Sequence, residues 1–246
     1  MFRFYSSRDN INGSSFKLEK EDINHVKNVL RMTPGEKIII CDKEGMDYLC
    51  EIESISSEEV IANIISESKC DAELNAKIVL FQGLPKKDKM ELIIQKAVEL
   101  GVTEIVPVAT KNAVVKIEND KKEEKKLERW QSISLSAAKQ SGRGIVPQVS
   151  KVVTFKEAIK RATTMDGAII PYEKAKGIEH SREVVSSLKG KETIAVFIGP
   201  EGGFDPAEIE LALSSNVTPI TLGKRILRTE TAGLTILSIL MYSLEE

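Results

Sequence analysis

Tryptophan, histidine and cysteine are nearly absent from this chain. Its 246 residues hold one tryptophan, two histidines (His25 and His180) and three cysteines (Cys41, Cys50 and Cys70). With no C-x-x-C spacing and histidines so scattered, neither a zinc site nor a disulfide scaffold can be assembled, and no metal is expected. No apolar run is long enough to cross a bilayer, and the opening MFRFYSSRDN lacks the cationic start and apolar stretch of a secretory leader. The expected location is therefore the cytoplasm, with no membrane partner. One-sided charge is missing too. The formal net charge is -2, with 9 Lys+Arg against 13 Asp+Glu in residues 1–70 and 26 against 24 in residues 71–246. Neither part is a general polyanion binder. A nucleic-acid partner would have to be a structured target gripped by local clusters such as Lys86, Lys87 and Lys89, or Lys224, Arg225 and Arg228.

What is present divides the chain by periodicity. Residues 1–70 read as a small β-rich domain with one helix, Glu21 to Arg31, whose Ile23, Val26 and Leu30 share a face before Thr33-Pro34-Gly35 ends it. Strands are expected at Lys37 to Cys41, Met46 to Ile52 and Val60 to Ile65, with Asp42 to Gly45 as a hairpin turn and Ser66 to Asn75 as the linker. Residues 71–246 read as a second domain in which strands and helices alternate. The strands are Ile78 to Phe81, Glu104 to Val108, Gly167 to Pro171, Ile194 to Ile198 and Val217 to Leu222; the helices include Lys89 to Leu100 and Glu123 to Ser141. Such alternation implies an α/β fold with a parallel sheet wrapped by helices. In open sheets of this kind ligands bind beyond the carboxyl ends of the strands. Three loops meet that description: Pro171-Tyr172, Gly199 to Phe204, and Gly223 to Glu230.

The middle loop sits in FIGPEGGF, Phe197 to Phe204, where a buried strand enters a glycine-rich turn and then a helix capped by Asp205, with Pro206 first and Glu208 third after the cap. A glycine-rich turn after a strand is, on pattern alone, more often a tight turn or a phosphate cradle than anything rarer. Here GPEGG lacks the G-x-G-x-x-G spacing, and Gly223-Lys224 is followed by Arg225 where a P-loop needs Ser or Thr. What remains is a pair of loops whose main chain a flat group can approach, walled by Ile198, Leu222, Ile226 and Leu227. An adenosine group suits such walls. The last helix, Thr231 to Leu244, carries one apolar stripe of Leu234, Leu237, Met241 and Leu244 and a second of Ile236, Ile239 and Tyr242. A surface helix needs only one stripe, so the second is expected against a partner subunit, although a deeply buried helix in a monomer also accounts for both. The mixed charges of Lys121 to Lys126 read as the solvated start of a helix, and Trp130 within it as a packed core residue.

Five segments in order resemble the signatures of one family: HVKNVLRMTPGE (His25 to Glu36), QKAVELGV (Gln95 to Val102), AAKQSGRGIVPQV (Ala137 to Val149), FIGPEGGF, and LGKRILRTETA (Leu222 to Ala232). They are similar to those of the uridine-N3 methyltransferases of bacterial small-subunit ribosomal RNA, the RsmE family, across nearly the whole chain. The resemblance implies a SPOUT-type sheet with a C-terminal trefoil knot that holds S-adenosyl-L-methionine, preceded by a PUA-like RNA-binding β-barrel. It also implies a homodimer acting on 16S rRNA within the small ribosomal subunit.

Matched residue by residue, the implied cofactor pocket comprises Gly199, Pro200, Glu201, Gly202, Gly203, Leu222, Gly223, Ile226, Leu227, Arg228, Thr231 and Ala232, completed by Pro171 and Tyr172. Implied RNA contacts are Arg3, His25, Arg31, Gln140 and Arg143. His25 can equally be a hydrogen-bonded core residue, and Arg31 can equally serve the end of its helix. Methylating uracil N3 requires loss of the imide proton. Arg228 is expected to stabilise the anionic base, and Glu201 or Glu230 to accept the proton, although either glutamate can instead cap a helix or pair with a neighbouring cation. In one place the chain departs from the family pattern: Lys111 and Asn112, in TKNAVVK, replace the usual Glu-Arg. That change is expected to bear on RNA contact and to leave the cofactor loops untouched. Two rival readings are an RNA-binding ribosome assembly factor that kept the fold without catalysis, and a SPOUT methyltransferase acting on a different RNA.

Overall fold

A computed structural model describes residues 1–113, 120–175 and 177–245, which divide into two compact units. The first contains Met1–Glu73 together with Ala138–Val146, and the second Leu74–Ala137 with Pro147–Glu246.

The first unit is built on β1 (Phe2–Tyr5), β2 (Ile11–Asn12), β3 (Ser15–Lys17), β4 (Lys37–Cys41), β5 (Met46–Ile55) and β6 (Val60–Lys69), with α1 (Lys20–Asn24) between β3 and β4. They form one sheet in the order β1-β4-β5-β6-β3-β2, parallel only between β1 and β4. Alternation along β5 sends Tyr48, Cys50 and Ile52 into a core with Phe16, Ile38, Ile40, Val60 and Ala62. The β4–β5 turn is held by Asp42, whose carboxylate accepts the amides of Glu44 at 2.7 Å and Met46 at 3.0 Å. β6 runs on to Lys69, so the polar stretch expected as linker from Ser66 is partly strand. Its Ser66, Glu67 and Ser68 pair with Leu49, Tyr48 and Asp47, and this main-chain ladder outweighs their turn preference.

The expected helix from Glu21 to Arg31 is also modified. After α1 the chain widens into a π-helical turn, His25–Val29, closed by Leu30 N–H donating to His25 O, and Arg31 takes a left-handed φ of 53°. Pro34 forbids helical geometry at Thr33. The turn therefore unwinds early while Val26 and Met32 stay buried.

Ala138–Val146 is held in this unit by specific bonds. Glu73 accepts the amides of Gly144 at 2.8 Å and Ile145 at 2.9 Å and pairs with the Arg143 guanidinium. The buried Tyr5 hydroxyl lies 2.7 Å from Arg143 O.

The second unit contains β7 (Lys77–Gly83), α2 (Lys89–Glu99), β8 (Val102–Ala109), α3 (Asp120–Ser141) as far as Ala137, β9 (Gln148–Val149), β10 (Val153–Thr154), α4 (Phe155–Ala162), β11 (Gly167–Pro171), α5 (Ile178–Ser187), β12 (Thr193–Ile198), α6 (Pro206–Ser214), β13 (Thr218–Ile220) and α7 (Thr229–Leu244). Every pairing in its sheet is parallel, along the path β10-β8-β7-β12-β11-β13 with β9 beside β8. β7 and β12, buried from Ile78 and Ile194 onward, are apolar on both faces as a central parallel pair requires. Phe81 stacks on Phe197 at 4.7 Å, and α4 and α6 cover that face. α7 packs against α2 and α5. Trp130 on α3 is 6% exposed, as its packing position implies.

Candidate functional site

The glycine loop leaves the carboxyl end of β12 and enters α6 through a complete capping box: Asp205 accepts the Ala207 amide, and Glu208 reaches back to Asp205 N. Gly203 closes the turn by donating to Pro200 O at 2.9 Å, with a φ of 66° that favours glycine. The neighbouring β7 ends in Gly83 because a side chain there would collide with Pro200: an added Cβ would lie 2.7 Å from its Cδ. From the end of β8, Asn112 donates its side-chain amide to Gly202 O at 3.2 Å and Gly203 O at 3.3 Å, while Lys111 pairs with Asp205 at 2.8 Å. The Lys-Asn departure thus reaches the glycine loop itself, which was expected to be left untouched. Asn112 supplies donors to carbonyls that the turn leaves unpaired, and Lys111 neutralises the N-cap carboxylate.

The second loop leaves β13 at the sheet edge and returns across the ends of β11 and β12. At its far end the Thr229 hydroxyl donates to Gly199 O at 2.6 Å and accepts from Gln82 Nε2 at 2.9 Å. Gln82 is fully buried, also donates to Gly83 O, and leaves its Oε1 without a partner among the described residues. One residue further, Glu230 meets Lys89 Nζ at 3.1 Å, and the same ammonium holds Glu201 of the glycine loop at 3.0 Å. Burial pushes the Glu201 carboxyl up. Hydrogen bonds from its own amide, the Lys89 ammonium and the Lys86 amide outweigh that and leave it below its ordinary value.

Sequence reasoning missed Gln82 and Thr229, and placed Lys89 in a nucleic-acid cluster with Lys86 and Lys87, whereas its ammonium pairs with Glu201 and Glu230. Two faint signals exist: a lone amide closing the apolar run IVLFQG, and a cation at the start of a helix, where the dipole disfavours it.

The remaining expected residues are distributed around these loops. Gly223 has a φ of 113°, and no atom stands within 4 Å of an added Cβ at Gly203 or Gly223. The backbone at both glycines is therefore open to close approach. Leu222 and Leu227 are partly buried, whereas Ile226 is 91% exposed. Ile198 is buried beneath the loop, and Pro171 and Tyr172 are partly buried, the Tyr172 amide bonding Ile220 O at 2.8 Å. Thr231 is exposed and Ala232 partly buried in the first turn of α7. Arg228, the N-cap of that helix, is exposed, and its guanidinium has no partner among the described residues.

In the first unit, His25 is exposed, with Phe4 edge-on at 6.3 Å, so it is not a core residue. Arg31 and Gln140 are exposed as well. Two arginines expected at RNA are engaged internally instead. Arg3 pairs with Asp47 at 2.6 Å and meets Cys70 Sγ at 3.2 Å. Burial pulls its pKa down, but Asp47 and Cys70 outweigh that and keep it above its ordinary value. Arg143 is 2% exposed and bonded to Glu73, which sequence spacing alone could not reveal because the partner lies 70 residues away. Among the described residues no helix is long and apolar enough to cross a membrane, and no cluster could hold a metal ion.

Comparison with known proteins accounts for both units. Residues 72–241 match the RNA methyltransferase domain family, and residues 18–65 match the RNA methyltransferase PUA domain family. The Bacillus subtilis ribosomal RNA small subunit methyltransferase E is 38% identical, covering 94% of this chain and 91% of its own. The Mesomycoplasma hyopneumoniae protein of the same name is 35% identical over 97% and 98%. A crystal structure of the Neisseria gonorrhoeae enzyme bound to S-adenosyl methionine superposes with a TM-score of 0.81 at 33% identity, covering 96% of this chain and 95% of that one. With both units matched and the relatives aligned almost from end to end, the chain belongs to the ribosomal RNA small subunit methyltransferase E family, with an α/β methyltransferase domain preceded by a PUA domain.

Proposed function

We propose that this protein methylates N3 of one uridine near the 3′ end of 16S rRNA, within the small ribosomal subunit, in the cytoplasm. Membership of the family makes it an S-adenosyl-L-methionine-dependent ribosomal RNA methyltransferase. The observation that carries the reading is the joining of the glycine loop to the start of α7 through Thr229 and Gly199 O, beyond the carboxyl ends of the strands. The return of residues 221–228 across those ends is the path a threaded knot needs.

The residues fit the cofactor. Open main chain at Gly203 and Gly223 admits a flat adenosine group, Leu222 and Leu227 offer apolar walls, and Glu201 and Glu230 supply acceptors. When bound, S-adenosyl-L-methionine supplies an electrophilic methyl group. Arg228, exposed and with no partner among the described residues, is the residue we assign to hold a uracil carbonyl oxygen as negative charge develops on the ring. The imide proton passes to water or to a carboxylate. Glu201, with hydrogen bonds to Lys89 and the Lys86 amide holding it as an anion of low basicity, is a poor acceptor for that step.

RNA is held in part by exposed His25, Arg31 and Gln140. A second copy of the chain covers the outer face of α7, where Ile239 is 40% and Tyr242 85% exposed. The test is incubation with methyl-labelled S-adenosyl-L-methionine and small subunits from cells lacking this gene, followed by nucleoside mass spectrometry. Label as 3-methyluridine at one site is expected. Label on another nucleoside, or only on transfer RNA added as competitor, rejects the target; no label despite cofactor binding supports a non-catalytic assembly factor.

A further inference from the structure

Lys89 opens α2, where Asp88 offers no side-chain cap and the helix dipole disfavours a cation. Such a placement needs a compensating partner, and it has two. Its ammonium lies 3.0 Å from Glu201 Oε1 and 3.1 Å from Glu230 Oε2, and the Glu201 carboxylate also receives the Lys86 amide at 3.2 Å. One carboxylate belongs to the glycine loop and the other to the first turn of α7. Without the cation between them the two anions would repel and the loops would part. The Lys89 side chain is 28% exposed, so the contacts are partly shielded from solvent.

We propose that Lys89 is a positioning residue of the methyltransferase site, setting the separation of the two cofactor loops by holding Glu201 and Glu230 on one ammonium. The inference rests on the reading of these loops as the cofactor pocket. It concerns the outer side of the pocket only. On the inner side the Gln82–Thr229–Gly199 chain of hydrogen bonds joins the same two segments independently, so loss of Lys89 leaves the sheet and α7 docked.

The experiment uses the full chain, with calorimetric titration of S-adenosyl-L-methionine, turnover on small subunits, and thermal melting as the control for folding. Lys89→Met is expected to weaken cofactor affinity about tenfold, equivalent to about 1.4 kcal/mol, while kcat at saturating cofactor stays within about threefold. Lys89→Arg keeps a cation between the carboxylates and is expected to recover most of that affinity. In a Glu201→Gln/Glu230→Gln background, Lys89→Met is expected to add little, because the charges it separates are gone. Unchanged affinity in Lys89→Met, a fully additive loss in the double-glutamine background, or a melting temperature lowered by more than about 8 °C would each overturn the positioning role. Failure of the wild-type chain to bind the cofactor would instead overturn the reading of the pocket.

Discussion

Arg143 and Arg228 stand in motifs of equal apparent weight, GRGIVP and LRTETA, and the structure gives them opposite circumstances. Arg143 is buried and tied to Glu73, whose carboxylate also receives the Gly144 and Ile145 amides. Arg228 caps α7 with its guanidinium exposed and unpartnered among the described residues. The difference lies in what surrounds them. A guanidinium whose fork is filled by a carboxylate organises its own loop and has little left for a ligand; one that is unmatched has every donor available. An arginine in a family motif is therefore assigned only once its carboxylate has been sought elsewhere in the chain.

The contrast can be broken at either end. Arg143→Met leaves the partly buried Glu73 carboxylate without its cation, and breaking a pair whose arginine is buried costs up to about 3–5 kcal/mol. Urea unfolding should show that loss, and a midpoint close to wild type would reopen an RNA role for Arg143. Arg228→Ala should leave melting and cofactor affinity nearly unchanged while turnover falls about 100-fold, roughly 2.7 kcal/mol in the barrier. A fall in cofactor affinity with near-normal residual turnover would place Arg228 at the cofactor instead.

Acid distinguishes the regions through their carboxylates. Burial raises the Glu104 carboxyl, but Arg161 and Ser150 bring it below its ordinary value, and Lys111 and the Ala207 amide lower Asp205. With Glu201 also lowered, these groups add stability above the unfolded carboxylate value of about 4 and lose it as pH falls through their folded values. Burial raises Asp22 in the first unit, which therefore works in the opposite direction. Thermal melts should weaken below about pH 4.5, with the second unit affected first. The smallest effect belongs to Lys111→Ala. Its side chain is 68% exposed, so removing the pair with Asp205 should leave the melting temperature close to that of the wild type.

The sequence disclosed the second unit well, because parallel strands such as Ile194 to Ile198 are continuous apolar runs and Asp205-Pro206 with Glu208 spells a capping box. It disclosed the first unit less well. β1, β2 and β3 are four residues or fewer and carry no alternation long enough to read. α4 and α5 were passed over despite a capping box at Thr154 and Glu157, since no loop motif drew attention to them. Within the site, the glycines and Arg228 announce themselves locally. Gln82, Lys89 and Thr229 matter only through partners supplied by other strands and helices, and pairwise geometry of that kind has no local signature.

The bond between Gln82 and Thr229 spans 147 residues of chain. Bringing such distant residues together carries a loop-closure cost that nearer pairings escape, and non-local contacts of this kind form late in folding. A molecule whose sheet has formed but whose α7 has not docked therefore lacks the hydroxyl that fastens Gly199. Cofactor affinity followed during refolding should therefore report whether α7 has docked.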